Sequence, residues 1–287
     1  MRFPLFVINL ADARPRMDAV HQRLEQTLGD IVQIQRVDAV DGRNGNLSLG
    51  EADLSTRSHY FIVNRSELPD IMTLHSREAV GNLRSHQRCW QRMVTEDIPV
   101  GIVCEDDVCP RPDLKDWLES DGLALLSHAS DWDYVVIGFE TFPFKHTPSL
   151  LEPVTVGDVE VYRPLSGIHQ AMFGAHCYMV SRDGAAKLLR NSSPMEMHTD
   201  YFLFISASLR TMRGFVARRH TLAHQCHLSG KRRALFEFGG HIPHFQWDQI
   251  NTKVILPDVT LRTLFIVLVS AVLLWLGYKW IPRKNRQ

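Results

Sequence analysis

The sequence has no excess of either charge: 32 Lys and Arg stand against 32 Asp and Glu. A nucleic-acid binder shows a basic surplus on some segment, so the balance argues against that class and leaves electrostatics to local clusters. Cysteine is scarce. Cys89, Cys104, Cys109, Cys177 and Cys226 are odd in number, scattered, and form no C-x-x-C pair. A disulfide framework or structural zinc site is therefore not expected. Reduced, mostly buried thiols in a reducing compartment are. No internal repeat or low-complexity tract stands out. The opening "MRFPLFVINL" lacks the longer apolar core and small-residue cleavage site of a signal peptide, and reads as a first strand.

What is present is an ordinary globular composition, 45% hydrophobic and 22% charged over 287 residues, enough for a sizeable core. One soluble domain is expected over residues 1–250, then a linker at 251–261, a transmembrane anchor at 262–281 and a basic tail at 282–287. The anchor rests on "LFIVLVSAVLLWLGY", which has no polar face as a buried helix would. Trp280 and Ile281 extend it towards the 17 to 25 residues of a span if Lys279 snorkels. Trp275, Tyr278 and Trp280 suit the interface. With no export signal, the expected placement of the domain is cytoplasmic. The charge bias runs the other way: Lys279, Arg283, Lys284 and Arg286 follow the span and only Lys253 and Arg262 precede it, which would put the tail in the cytoplasm. Asn46, Asn64 and Asn191 lie in N-x-S sequons.

The soluble part alternates strand-like and helix-like segments, the pattern of an α/β layer fold. Strands are expected at 5–10, 31–37, 100–104, 133–139 and 175–180. Helices are expected at 14–28, 76–95, 182–190 and 199–210. The first helix shows Met17, Val20, Leu24 and Leu28 on one stripe.

The third strand ends in three consecutive acids, Glu105, Asp106 and Asp107. If the extended backbone continued, Glu105 and Asp107 would face one way and Asp106 the other. Ligands of open α/β sheets gather at the carboxyl ends of strands. Two carboxylates there can hold Mg2+ or Mn2+, which would bridge to substrate phosphates. A solvated, helix-capping turn is the simpler alternative.

Several blocks, taken in order, resemble glycosyltransferase family 25, which includes lipooligosaccharide galactosyl- and glucosyltransferases and the collagen galactosyltransferases. "INLADARPR" resembles its opening strand and Arg-bearing loop, through Asn9, Leu10 and Arg16. "VDAVDG" is similar to its A-V-D-G block, through Asp41 and Gly42. "GNLRSHQRCW" resembles G-x-x-x-S-H-x-x-x-W, through Gly81, Ser85, His86 and Trp90. "VCEDDV" is similar to its metal motif, "AHCYMVSRDGAAKLL" to its Y-x-I-S-x-x-G-A-x-K-L-L block, and "HQCHLS" to its late Q-x-x-x-S block, through Gln225 and Ser229. Asp200 falls where the family has P-x-D, although Met197-His198-Thr199 replaces the usual Pro-Val.

The resemblance implies a GT-A type, Rossmann-like nucleotide-sugar-binding domain. It implies inverting transfer of a hexose, galactose foremost, from a UDP-sugar to a lipooligosaccharide or other surface glycan. The metal, Mn2+ or Mg2+, would sit on Asp107 with Asp106 or Glu105, as Lewis acid and template. Inversion needs a carboxylate base for the acceptor hydroxyl, with Asp200 first, Glu196 second and Glu140 third. Arg16 would pair with a phosphate, and Asp41 would accept from the nucleoside. Asn9, Ser85, His86 and Gln225 would line the donor side. The partners implied are the nucleotide sugar, the glycan acceptor and the membrane. Two rivals use the same fold: an inactive binding or adhesion module, and a collagen-type hydroxylysine galactosyltransferase, which needs export. A third is a zinc hydrolase built on His220, His224 and His227 at helical spacing, although no base lies between them as in H-E-x-x-H.

Overall fold

A computed structural model of the chain describes residues 2–43, 47, 53–63, 72–141, 150–165 and 172–226. In order the elements are β1 (Phe3–Asn9), α1 (Arg14–Leu28), β2 (Val32–Asp38), α2 (Thr56–Val63), α3 (Arg77–Thr95), β3 (Val100–Glu105), β4 (Val108–Pro110), α4 (Asp113–Trp117), α5 (Leu123–Ser127), β5 (Tyr134–Thr141), β6 (Leu151–Val156), β7 (Val159–Pro164), β8 (Met172–Ser181), α6 (Arg182–Asn191), α7 (Thr199–Ser208), β9 (Gly214–Val216) and β10 (Ala223–Gln225).

Strand β1 shows why this is a three-layer structure. Phe3, Leu5 and Val7 join one buried cluster, and Phe6 and Ile8 join the other. A strand apolar on both sides needs a sheet covered on both faces. One face receives Val20, Leu24 and Leu28 of α1 with Leu114 and Trp117 of α4. The opposite face receives Val80, Leu83, Trp90 and Met93 of α3, Leu188 of α6 and Leu203 and Phe204 of α7. Each such aliphatic, fully buried, contributes roughly 1.5–3 kcal/mol.

The strand order is β2-β1-β3-β8-β5-β9-β7-β6, with β10 paired to both β4 and β5. Strands β2, β1 and β3 run parallel, so the chain crosses back through helical connections and leaves the carboxyl ends of β1 and β3 on one edge. Strand β8 inserts antiparallel between β3 and β5. Helix α3 starts cleanly because the Ser76 hydroxyl accepts the Ala79 N–H at 3.1 Å. It then docks against the loop after β2. A Cβ on Gly81 would lie 2.5 Å from the Val40 carbonyl, and one on Gly42 2.2 Å from the Arg77 carbonyl. Glycine at both positions is what lets the two backbones touch.

Every expected strand and helix is present, displaced at its ends by up to three residues. The β6–β7 hairpin was not foreseen. Its signal is the Gly157-Asp158 pair between alternating apolar residues, with Gly157 at φ 57. Among the described residues no helix is long and apolar enough to cross a membrane. The anchor expected at 262–281, the linker and tail, the sequons at Asn46 and Asn64, and Ser229 lie outside the described residues.

The expectation of five reduced thiols is corrected. Cys109 and Cys226 form a disulfide with Cα atoms 5.3 Å apart, while Cys89, Cys104 and Cys177 are free and buried. The pair is 117 residues apart in sequence, so spacing alone gave no hint of it. The strands β4 and β10 bring it together, with Cys109 opposite His224 in their register. Closing a loop of that size stabilises by about 4–5 kcal/mol in the chain-entropy account.

Candidate active site

Strand β3 stops at Glu105, and Asp106 and Asp107 form the turn into β4. The expected alternation therefore ends one residue into the triplet, and the three carboxylates diverge. Asp106 is buried, at 6% exposure. It pairs with Arg16 of α1 and accepts the Asn9 amide at 2.7 Å. Asn9 in turn donates to the Ala13 carbonyl and accepts from Arg36 Nε at 3.0 Å. The first two residues implied as donor ligands, Asn9 and Arg16, thus brace Asp106 instead. Both oxygens of Asp106 are thus already engaged by the chain's own donors. The positive partner that makes three adjacent acids tolerable is at least partly internal, since Arg16 and Arg23 both act on Asp107 or Asp106.

Asp107 keeps what Asp106 has lost. Its Oδ1 is buried and makes no hydrogen bond. Burial, and then the charges of Glu105 and Asp106, push its carboxyl up to about 7, against the pull of Arg16. Glu105 turns to α3. Asn82 Nδ2 donates to its Oε1 at 2.8 Å, and His86 Nε2 stands 3.5 Å from the same oxygen. Burial alone would raise this acid; His86, Asn82 and His176 outweigh it and hold the carboxyl at about 2. Two neighbouring acids are thus driven apart in acidity by their surroundings, the arrangement of sites that divide chemical roles.

Asp200 lies in the first turn of α7. Its Oδ2 accepts the Gly174 N–H at 2.9 Å and its Oδ1 the Tyr201 N–H at 2.8 Å. Burial, and secondarily Glu105, raise its carboxyl although both amides pull it down. Thr199, next to it, donates to Asn82 Oδ1 at 3.0 Å, so the Asn82 amide links Glu105 to the residue beside Asp200. Glu196 is different. Its backbone carbonyl accepts from Leu74 N and Ser58 Oγ, while no hydrogen bond or ion pair engages its side chain among the described residues. Glu140 lies one residue before the end of β5, with Oε1 buried and unbonded, 3.5 Å from His224 Nδ1. His176 donates from Nε2 to the Ala223 carbonyl at 3.1 Å, which leaves its buried Nδ1 unpartnered.

The remaining expectations divide. Ser85 is buried; its hydroxyl donates to the Gly81 carbonyl at 2.6 Å and accepts the Val40 N–H at 2.8 Å, which makes it a brace between α3 and the loop after β2. Asp41 is committed to Arg43 by three hydrogen bonds. Gln225 sits in β10 opposite Val108, beside the acidic turn. The zinc reading fails on backbone grounds: His224 lies in a strand and His220 in an irregular bend beside Asp113, so helical spacing does not apply. His227 lies outside the described residues. Among the described residues no three His, Cys, Asp or Glu side chains converge on one ion. A cation at the turn would need further oxygens, as Mg2+ takes them from substrate phosphates and water.

The sequence reading missed Asn82, His176 and Thr199. Asn82 was accessible in principle, because it lies four residues before His86 and so shares its helix face. The other two depend on strand pairing and a side-chain contact across elements.

The model for glycosyltransferase family 25 (LPS biosynthesis protein) matches residues 3–203. No curated protein matches the chain. Among solved structures, the one described as the crystal structure of A197 from STIV is similar at 12% identity, covering 78% of this chain and 83% of that one, with a TM-score of 0.34; a score that low carries no argument. The family match spans well over half of the sequence and contains the acidic turn, Asn82, His86 and Asp200: the chain belongs to glycosyltransferase family 25.

Proposed function

We propose that this glycosyltransferase is metal-dependent and inverting, with a GT-A type domain that moves a hexose, galactose foremost, from a UDP-sugar to a lipooligosaccharide or other surface glycan. The observation that carries the reading is Asp107 Oδ1, a buried carboxylate oxygen with no hydrogen bond on an acid pushed up to about 7. Such a group gains most from a cation. An all-oxygen donor set of Asp107 with Glu105 suits Mn2+ or Mg2+, and when bound the ion neutralises charge on the departing diphosphate.

The chain's own residues do the rest. Asp106, itself held by Asn9, fixes Arg16 beside the turn. Glu105 stays ionised between Asn82 and His86. Asp200 takes the acceptor proton on a carboxylate oxygen, held in place by two backbone amides, and its raised affinity for protons suits a base.

The full chain, offered a panel of nucleotide sugars with Mn2+ and with chelator, is expected to release UDP from one donor only when the metal is present. Release of equal size in chelator would overturn the metal reading, and release of a nucleotide other than UDP would overturn the donor.

We also propose membrane anchorage through residues 262–281. Two observations favour the side opposite the cytoplasm: the Cys109–Cys226 disulfide, a bond of oxidising compartments, and the basic tail, which the positive-inside rule keeps cytoplasmic. Alkylation of freshly lysed cells under denaturation is expected to leave Cys109 and Cys226 unlabelled; labelling of both would return the domain to the cytoplasm.

A further inference from the structure

A buried chain of polar side chains runs from the core of α3 to Glu105. Trp90 Nε1 donates to the Tyr178 hydroxyl at 2.7 Å, and Tyr178 stands 2.9 Å from His86 Nδ1. Trp90, Tyr178 and His86 are each 0% exposed. The indole N–H is a donor only, so the tyrosine oxygen accepts there. Its own proton then goes to His86 Nδ1. That order, assigned from the network, makes Nδ1 the acceptor and puts the imidazole proton on Nε2. Nε2 has no hydrogen-bond partner of its own, and Glu105 Oε1 is 3.5 Å away. A buried donor with its tautomer fixed and a carboxylate just beyond bonding distance is poised to close when a ligand seats the carboxylate, as hydrogen bonds at unliganded sites do.

On the other side Thr199 fixes the Asn82 amide by donating to its oxygen, so that the nitrogen faces Glu105. Both donors reach the same oxygen, Oε1. Among the described residues the contacts of this carboxylate fall on Oε1 and none on Oε2. Both neighbouring donors thus lie on Oε1, on a side chain that is 22% exposed.

We propose that His86, oriented by Tyr178 and Trp90, is a positioning residue for glycosyl transfer: it holds Glu105 so that Oε2 faces the donor's diphosphate and its cation. This rests on the reading of the acidic turn as the donor site. The contrary account is that the three residues merely satisfy one another in the core. The two accounts differ in what a replacement restores. Glutamine at 86 keeps an amide N–H near the place of Nε2; leucine fills similar volume without a donor.

The test compares His86→Gln and His86→Leu in the full chain, by donor kcat and KM, by Mn2+ affinity in the presence of UDP, and by thermal unfolding. Partners behind a metal ligand typically account for about 10–100-fold in affinity or activity. His86→Leu is expected to lose that much in kcat/KM and in Mn2+ affinity, and His86→Gln to stay within about threefold of wild type. Tyr178→Phe, which frees the tautomer but leaves the imidazole in place, should fall between them. Equal losses in the Gln and Leu variants, or losses that follow unfolding temperature alone, would overturn the proposal. Should wild-type transfer prove independent of metal, the metal reading falls by itself. The ratio of kcat/KM between the Gln and Leu variants still decides the role of His86.

Discussion

Replacing Asp107 by asparagine is expected to reduce metal-dependent transfer by about 10²–10³-fold, the loss typical when a charge-stabilising group is removed from a transfer site. The same change should stabilise the metal-free fold at neutral and alkaline pH. The wild-type carboxyl sits at about 7 in the folded chain and near 3.9 when unfolded. An acid raised on folding binds its proton more tightly in the native state. Its contribution to stability is therefore complete below about pH 4 and is lost as pH rises through about 7. At pH 8 the wild type carries an ionised, buried acid and the variant does not. In chelator the variant should be more stable by on the order of 1–3 kcal/mol at pH 8, with the advantage gone by pH 4. Thermal unfolding at pH 5 and pH 8 reads this directly. A variant that loses transfer and also melts earlier at pH 8 would show that Asp107 serves the fold.

Asp200→Asn is the second large effect. Each Asp200 oxygen accepts one backbone N–H, from Gly174 and Tyr201. An amide can satisfy only one of them, so the variant should lose about 1–3 kcal/mol of stability. Loss of the base should lower kcat by about 10²–10⁴-fold, with UDP affinity close to wild type because no donor contact is removed. Steady-state kinetics and calorimetric UDP binding separate the two. Normal transfer by this variant would pass the role to Glu140, whose Oε1 is buried and unbonded. Glu196, with no side-chain partner among the described residues and its backbone tied to Leu74 and Ser58, is the weaker substitute.

The parts of the fold legible in the sequence are those governed by local periodicity. The stripe Val20, Leu24, Leu28 and the alternation Phe3, Leu5, Val7 against Phe6, Ile8 each reach the core as their spacing requires. Position of the acids at the end of β3 was also legible, since it follows from where an apolar run stops. Division of labour within the triplet was not. It depends on Arg16 and Asn9 reaching Asp106 from other elements, and on Asn82 and His86 reaching Glu105 from α3. Separations of this kind, 90 residues for Arg16 and Asp106, leave no trace in spacing. The histidines at 220 and 224 misled for the opposite reason: helical spacing was read where the chain is a bend and a strand. The Cys109–Cys226 bond escaped because scattered cysteines look alike until β4 meets β10.

One measurement tests the central claim, that Asp107 is the carboxylate waiting for a cation. Mn2+ is titrated, with UDP present, into the detergent-solubilised full chain and into its Asp107→Asn variant, and bound ion is followed by electron paramagnetic resonance. The wild type is expected to bind the ion and the variant to bind at least about a hundredfold more weakly. Equal binding by the two, or none by the wild type, would contradict the account.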